Sequence, residues 1–165
     1  MIIDNTITGE ILVDAFKSDV WEAWTTESGA KTFFAPDCKI DLRPGGAYEM
    51  YFDPDAPEGY RGGKGCRILA LEDEQMLSFT WNAPPSMPDI RGQFTHVTVR
   101  FEYDYYGTRV TLSHDGWGEG HAWGEAMIYF DKAWNKIVLP RLQYRFCVAI
   151  IDWTAPPKMP DLGKV

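Results

Sequence analysis

The segment Glu119 to Phe146 limits the possible folds of this chain more than any other. Within it Trp123, Met127, Phe130, Trp134, Ile137, Arg141 and Tyr144 recur at alternating intervals of four and three, the spacing that places side chains on one face of a helix. Six of these seven are large and apolar or aromatic. A helix of that length runs to roughly 40 Å at about 1.5 Å per residue, enough to cross a whole domain. Glu119 and Glu125 near its start and Arg141 and Arg145 near its end complement the helix dipole. Pro140 lacks a backbone N–H, so a kink or an end is expected near Leu139. The rest of the chain must supply a surface for this stripe to cover.

Upstream, the periodicity is that of strands. Glu10 to Phe16 alternates around Ile11, Val13 and Ala15 and reads as a first strand. Ser18 is placed to cap a short helix carrying Val20, Trp21 and Trp24, and Thr26 to Phe34 suggests a second. Cys38, Ile40 and Leu42 alternate with charged residues, Pro44-Gly45-Gly46 makes a turn, and Ala47 to Phe52 resumes as a strand. Asp53 to Gly63, with two Pro and three Gly, reads as a loop. Gly65 to Leu71 and Leu77 to Trp81 form a predicted hairpin, and Asn82 to Gly92 an exposed loop. The clearest antiparallel pair is Val97, Val99, Phe101, Tyr103 against Val110, Leu112, His114, joined at Gly107. An antiparallel sheet must bury one face, and the helical stripe is the only long apolar surface available to it. The expected fold is therefore α+β, a curved antiparallel sheet gripping a long C-terminal helix. It is read as one domain over residues 1–153, with a loosely held Pro-rich tail over 154–165.

Charge narrows the partners. A net charge of −8 over 165 residues argues against nucleic acid, whose phosphates need clustered Lys and Arg. No apolar run approaches the ~20 residues of a membrane span, and Met1 to Gly9 lacks the basic and apolar regions of a signal peptide, so a cytoplasmic protein is expected. Cys38, Cys66 and Cys147 are far apart, without a C-x-x-C pair, and read as reduced thiols.

Five stretches together carry a resemblance. These are Val20 to Thr25 (VWEAWT) with Phe33-Phe34; Ile40 to Gly46 (IDLRPGG); Leu77 to Trp81 (LSFTW); Gly107 to Leu112 (GTRVTL); and Trp134 in the last helix. In this order they resemble the START-like (SRPBCC) family of homologues of the C-terminal domain of the activator of the ninety-kilodalton heat-shock chaperone ATPase. The similarity runs from about Glu10 to Leu142. It implies the helix-grip fold: about seven antiparallel strands around a long C-terminal helix, two short helices after the first strand, and a cavity between sheet and helix. It also brings a chaperone into view as a partner. The segment Gln143 to Trp153 extends past the family pattern, as a helical extension or as a strand packed elsewhere.

Within such a cavity the candidate ligand-binding residues are Trp81, Val110, Leu112, His114, Trp123, Met127, Phe130 and Trp134. The aromatic members offer large stacking surfaces, or else they simply fill the core. His114 shares strand parity with Val110 and Leu112, so it is either a polar anchor or proton-transfer group in the pocket or a core histidine with satisfied hydrogen bonds. His114, Asp115, Glu119 and His121 cluster in sequence but lack a metal-ligand spacing, and no metal or cofactor is expected. Arg141 can pair with a ligand carboxylate or be turned to solvent by Pro140, the latter being the expectation. Neither a nucleophile elbow nor a phosphate loop occurs, and no catalytic residue is named. The leading function is a binding protein, monomeric or homodimeric, for a small hydrophobic, aromatic or lipid-like molecule. The alternatives are a cyclase- or hydrolase-like enzyme using His114 and a chaperone-interacting stress protein.

Overall fold

Two strands set the inner surface of the sheet. On β7 (Thr95–Asp104) Thr95, Val97, Val99 and Phe101 are buried, and on β8 (Gly107–Asp115) Thr108, Val110, Leu112 and His114. The two-residue period puts all eight on one face, and the register Val99 to Leu112 and Phe101 to Val110 brings them side by side. In this computed structural model, which describes residues 1–158, β8 and β7 are the centre of a six-stranded antiparallel sheet ordered β1-β2-β8-β7-β6-β5. The other members are β1 (Ile2–Ile3), β2 (Thr6–Val13), β5 (Ile68–Glu72) and β6 (Met76–Trp81). A separate hairpin, β3 (Asp37–Ile40) with β4 (Tyr48–Tyr51), meets the large sheet through single bridges, Ala47 to Arg67 and Tyr51 to Gly62. The seven-strand expectation thus becomes six strands plus two, because the two bridges are four residues apart on one side and five on the other, which leaves the pairing between them out of register.

Local chemistry corrects several boundaries. The first strand begins four residues before Glu10, since Asp4 and Asn5 adopt φ of 50° and 56° and close a hairpin between β1 and β2. Helix α1 (Lys17–Thr25) is preceded by Phe16 at its cap and takes no side-chain bond from Ser18. Thr26 instead caps α2 (Glu27–Ala30), its hydroxyl accepting the Gly29 N–H at 3.0 Å. The loop 82–92 contains a short helix, α3 (Pro88–Arg91). Tyr48, fully buried, donates its hydroxyl to the Trp24 carbonyl at 2.7 Å and ties β4 to α1. Cys38 and Cys66 are buried thiols, and burial pushes Cys66 up to about 12.

The long helix forms and passes through Pro140 rather than ending there. α4 (His121–Ala133) is followed by a π-helical segment, Trp134–Val138, and by α5 (Leu139–Cys147). In the π segment the Leu139 N–H reaches back five residues to the Trp134 carbonyl. A widened turn just before a proline relieves the clash of its ring with the preceding carbonyls. The consequence is a one-residue slip of the buried stripe. Up to Trp134 the inner positions are Trp123, Ala126, Phe130 and Trp134; beyond it they are Val138, Leu139 and Leu142, and not the expected Ile137, Arg141 and Tyr144. At Gly9 of β2 an added Cβ would lie 2.8 Å from Leu139 Cδ1 and 2.5 Å from Asn135 Oδ1, so glycine allows the helix to close against this strand. After Cys147 the chain turns back onto the α2 region: the Ile151 N–H donates to the Thr32 carbonyl at 2.9 Å and the Trp153 indole to the Lys31 carbonyl at 2.6 Å. Gln143 to Trp153 is therefore part helix and part return loop. The tail expected over 154–165 lies mostly outside the described residues. No described helix is long and apolar enough to cross a membrane.

Candidate functional site

Past the π segment Val138, Leu139 and Leu142 take the buried positions and α5 packs against β2. Ile137 and Arg141 turn toward the loops after β4 and β6, and a cavity of about 530 Å³ opens between them. Its inner wall is aromatic. Phe34, from the turn after α2, Trp81, from the end of β6, and Trp134 form a triangle with ring centroids 5.5 to 5.8 Å apart. Phe130 adds a fourth ring from the helix. Phe52, Tyr60 and Tyr129 stand at the rim with 46%, 61% and 45% of their surfaces exposed, so one side of the cavity meets solvent. Apolar walls with a few polar groups are the usual make-up of a small-molecule site.

Arg91 of α3 holds the outer wall. Its guanidinium donates to the carbonyls of Ala83, Gly59 and Gly62, joining the loop after β6 to the loop after β4. The second loop also closes at Gly62, where a Cβ would lie 2.2 Å from the Met50 carbonyl oxygen. Arg91→Met is expected to lose about 1.5 to 3 kcal/mol, the range for hydrogen bonds to a charged group. Limited proteolysis should show cleavage within 53–63 much earlier than in the wild type.

His114 lies under this wall. It is fully buried, packed beneath Trp117, Phe130 and Trp134 at centroid distances of 4.2, 5.2 and 6.1 Å. The Trp134 indole N–H donates to Nδ1 at 3.0 Å, which places the imidazole proton on Nε2. Nε2 then donates to Thr95 Oγ1 at 2.6 Å, and the Thr95 hydroxyl donates to the Trp81 carbonyl at 3.2 Å. Burial, with a smaller contribution from the nearby His96, lowers the His114 pKa to about 3. A neutral histidine therefore orients Trp134 and ties it, through Thr95, to Trp81, two residues of the cavity wall.

The eight candidate residues separate into three groups. Trp81, Phe130 and Trp134 line the cavity. Val110, Leu112 and His114 do not, since β8 runs beneath the helix and their side chains are sealed in the core. Trp123 packs with Ala83, Ile90 and Ala126 where α4 meets α3, and Met127 lies half-buried outside the lining. The cavity sits about two helical turns nearer the C-terminus than expected, because the first turns of α4 cover α3 and its loop instead of the sheet. With His114 sealed, neutral and locked by two side-chain bonds, the enzyme alternative loses its proton-transfer group. The expectation that Arg141 faces solvent is also corrected: it is half-buried in the cavity wall. His114, Asp115 and His121 diverge, with Asp115 beside His96 and His121 beside Glu125, each at 3.1 Å. Among the described residues no three His, Cys, Asp or Glu side chains converge as metal ligands would. Sequence reading passed over Phe52, Tyr60, Arg91 and Ile137. For Phe52 and Tyr60 the available signal was the loop 53–63, which one of them flanks and the other punctuates.

Comparisons with known proteins agree with this fold. The solution structure of the Aha1 dimer from Colwellia psychrerythraea superposes with a TM-score of 0.67 at 19% identity, covering 87% of this chain and 96% of that one. A protein from Staphylococcus saprophyticus gives 0.66 at 20% identity, over 89% of this chain and 96% of the other. CalU16 from Micromonospora echinospora gives 0.63 at 21% identity, over 96% and 81%. At these identities the likeness is one of fold. No curated protein matches this chain by sequence. The family described as Activator of Hsp90 ATPase homolog 1-like protein matches residues 14–144. That span runs from just before α1 into α5 and takes in every strand but β1 and β2, and this chain belongs to the Activator of Hsp90 ATPase homolog 1-like family.

Proposed function

We propose that this protein binds a small aromatic or apolar molecule in the cavity between the helix and the loops after β4 and β6. The observation that carries the reading is the triangle of Phe34, Trp81 and Trp134 at the base of a cavity of about 530 Å³. Arg91 holds one wall, and the His114 bonds fix the orientation of Trp134 in the other. Tryptophan emission reads occupancy directly, since Trp81 and Trp134 line the space. Titration with flavonoids, aromatic polyketides and fatty acids is expected to give saturable quenching by at least one class. Ala133→Phe, which places a ring into the cavity from the helix, is expected to abolish that quenching with little change in the far-ultraviolet circular dichroism. An unchanged titration in Ala133→Phe would place the ligand elsewhere, and no response to any class would count against binding.

A second reading draws on a different surface. Phe16, Tyr103, Tyr105 and Tyr106 are between 71% and 84% exposed around the turn between β7 and β8. Exposed aromatic clusters mark protein contacts, and the family description names a chaperone ATPase as the target of activation. Stimulation of such an ATPase by the wild type and its loss in a Tyr105→Ser, Tyr106→Ser double variant would favour this reading; no stimulation by the wild type would remove it.

A further inference from the structure

The charge of the cavity wall runs against the charge of the chain. The whole chain carries −8, yet the charged side chains that line the cavity are Arg61, Arg91 and Arg141 against the single carboxylate Asp53. Arg91 is committed to three backbone carbonyls, and Arg61 donates from Nε to the Ala56 carbonyl at 2.9 Å. Arg141 differs. It makes no hydrogen bond or ion pair with any described residue, and its Nε is buried without an acceptor. Its guanidinium carbon lies 5.2 Å from the centre of the Trp153 ring, which the bond to the Lys31 carbonyl holds in place.

Burial shifts Arg141 below the ordinary guanidinium range, but a guanidinium keeps its proton at any physiological pH. The wall thus holds a permanent, partly desolvated cation. The Trp153 ring face offsets part of that cost. It leaves the five N–H donors, the groups that recognise a carboxylate as a fork, without acceptors. The π segment is what presents this group: on an unbroken α-helix the stripe would carry Arg141 onto the buried face, whereas the slip turns it into the cavity wall beside Ile137. Arg141 lies seven residues beyond Trp134 on the same helix.

Resting on the reading that the cavity holds a small aromatic or apolar molecule, we propose that this molecule is an aromatic acid. Its two- or three-ring body lies against Phe34, Trp81 and Trp134, and its single carboxylate bonds to the Arg141 guanidinium. The partly desolvated fork gives the preference for a charged end.

The test uses the full chain and matched pairs: 2-naphthoate with 2-naphthamide, and anthracene-2-carboxylate with its amide, measured by tryptophan quenching and by calorimetry. The wild type is expected to bind each acid about tenfold or more tighter than its amide. In Arg141→Gln that preference should fall to within about twofold. Arg141→Lys, which keeps the charge but not the fork, should retain an intermediate preference and serves if the Gln variant does not fold. Equal binding of acid and amide by the wild type, or an undiminished preference in either variant, overturns the proposal and leaves the cavity reading standing. If neither member of any pair binds, and the broader panel is also silent, both readings fall together.

Discussion

Trp134→Ala is expected to lower the free energy of unfolding by about 3 to 5 kcal/mol, the range for deleting a buried aromatic. Trp134 is 1% exposed and contacts Phe34 and Trp81 edge-on or tilted, with centroids 5.8 and 5.5 Å away. The substitution also strips Nδ1 of His114 of its donor at 3.0 Å, in a site that water does not reach. Trp134→Phe separates the two contributions. It keeps most of the apolar surface and loses only the indole N–H, so a smaller cost of about 1 to 2 kcal/mol is expected. Urea denaturation at neutral pH measures both variants. A midpoint unchanged in Trp134→Ala would contradict the packing described here.

The second large effect is on pH. His114 has a folded-state pKa of about 3 against 6.5 for a free histidine. Between these values the unfolded chain takes up a proton that the native site refuses, so stability rises with pH across that window. The contribution is complete above about 6.5 and is lost progressively as pH falls toward 3. At about 1.4 kcal/mol per pH unit, roughly 2 kcal/mol should disappear between pH 7.5 and pH 5, a range chosen to lie above most carboxylate titration. His96 is half-exposed and His121 exposed, and they pair with the surface carboxylates of Asp115 and Glu125, where such pairs contribute little. His114→Gln is expected to be less stable at neutral pH and to lose the acid slope. Denaturation midpoints at pH 5, 6, 7 and 7.5 for the two proteins make the comparison. Parallel slopes would show that some other group is responsible.

Much of the fold could be read from periodicity because each signal there was local. The alternation from Val97 to Phe101 and from Val110 to His114 reports one buried sheet face without reference to anything distant, although Tyr103, which continues the first pattern, is exposed. The stripe from Trp123 to Trp134 likewise reports one buried helix face, and its four members are buried or half-buried in the structure. Short local signals were weaker guides. Ser18 looked like a cap and is not one, and the Asp4-Asn5 turn was passed over although its residue types favour positive φ.

The candidate site was only partly legible, and the reason lies in a single turn of helix. From the sequence alone, Arg141 and Ile137 continue the buried stripe of Trp134, and His114 shares the face of Val110 and Leu112. By itself the sequence determined that a long amphipathic helix would cover an antiparallel sheet, and that Trp81, Phe130 and Trp134 would be among the large residues between them. Only the tertiary structure decided where that interface closes and where it stays open. The π segment before Pro140 rotates everything beyond Trp134 by about one residue, exchanging Val138, Leu139 and Leu142 for Ile137, Arg141 and Tyr144 on the sheet side. Periodicity assumes a constant number of residues per turn. A change in that number is set by how the helix packs against β2, the proline and the two loops, and none of those contacts lies within the window in which the pattern is read.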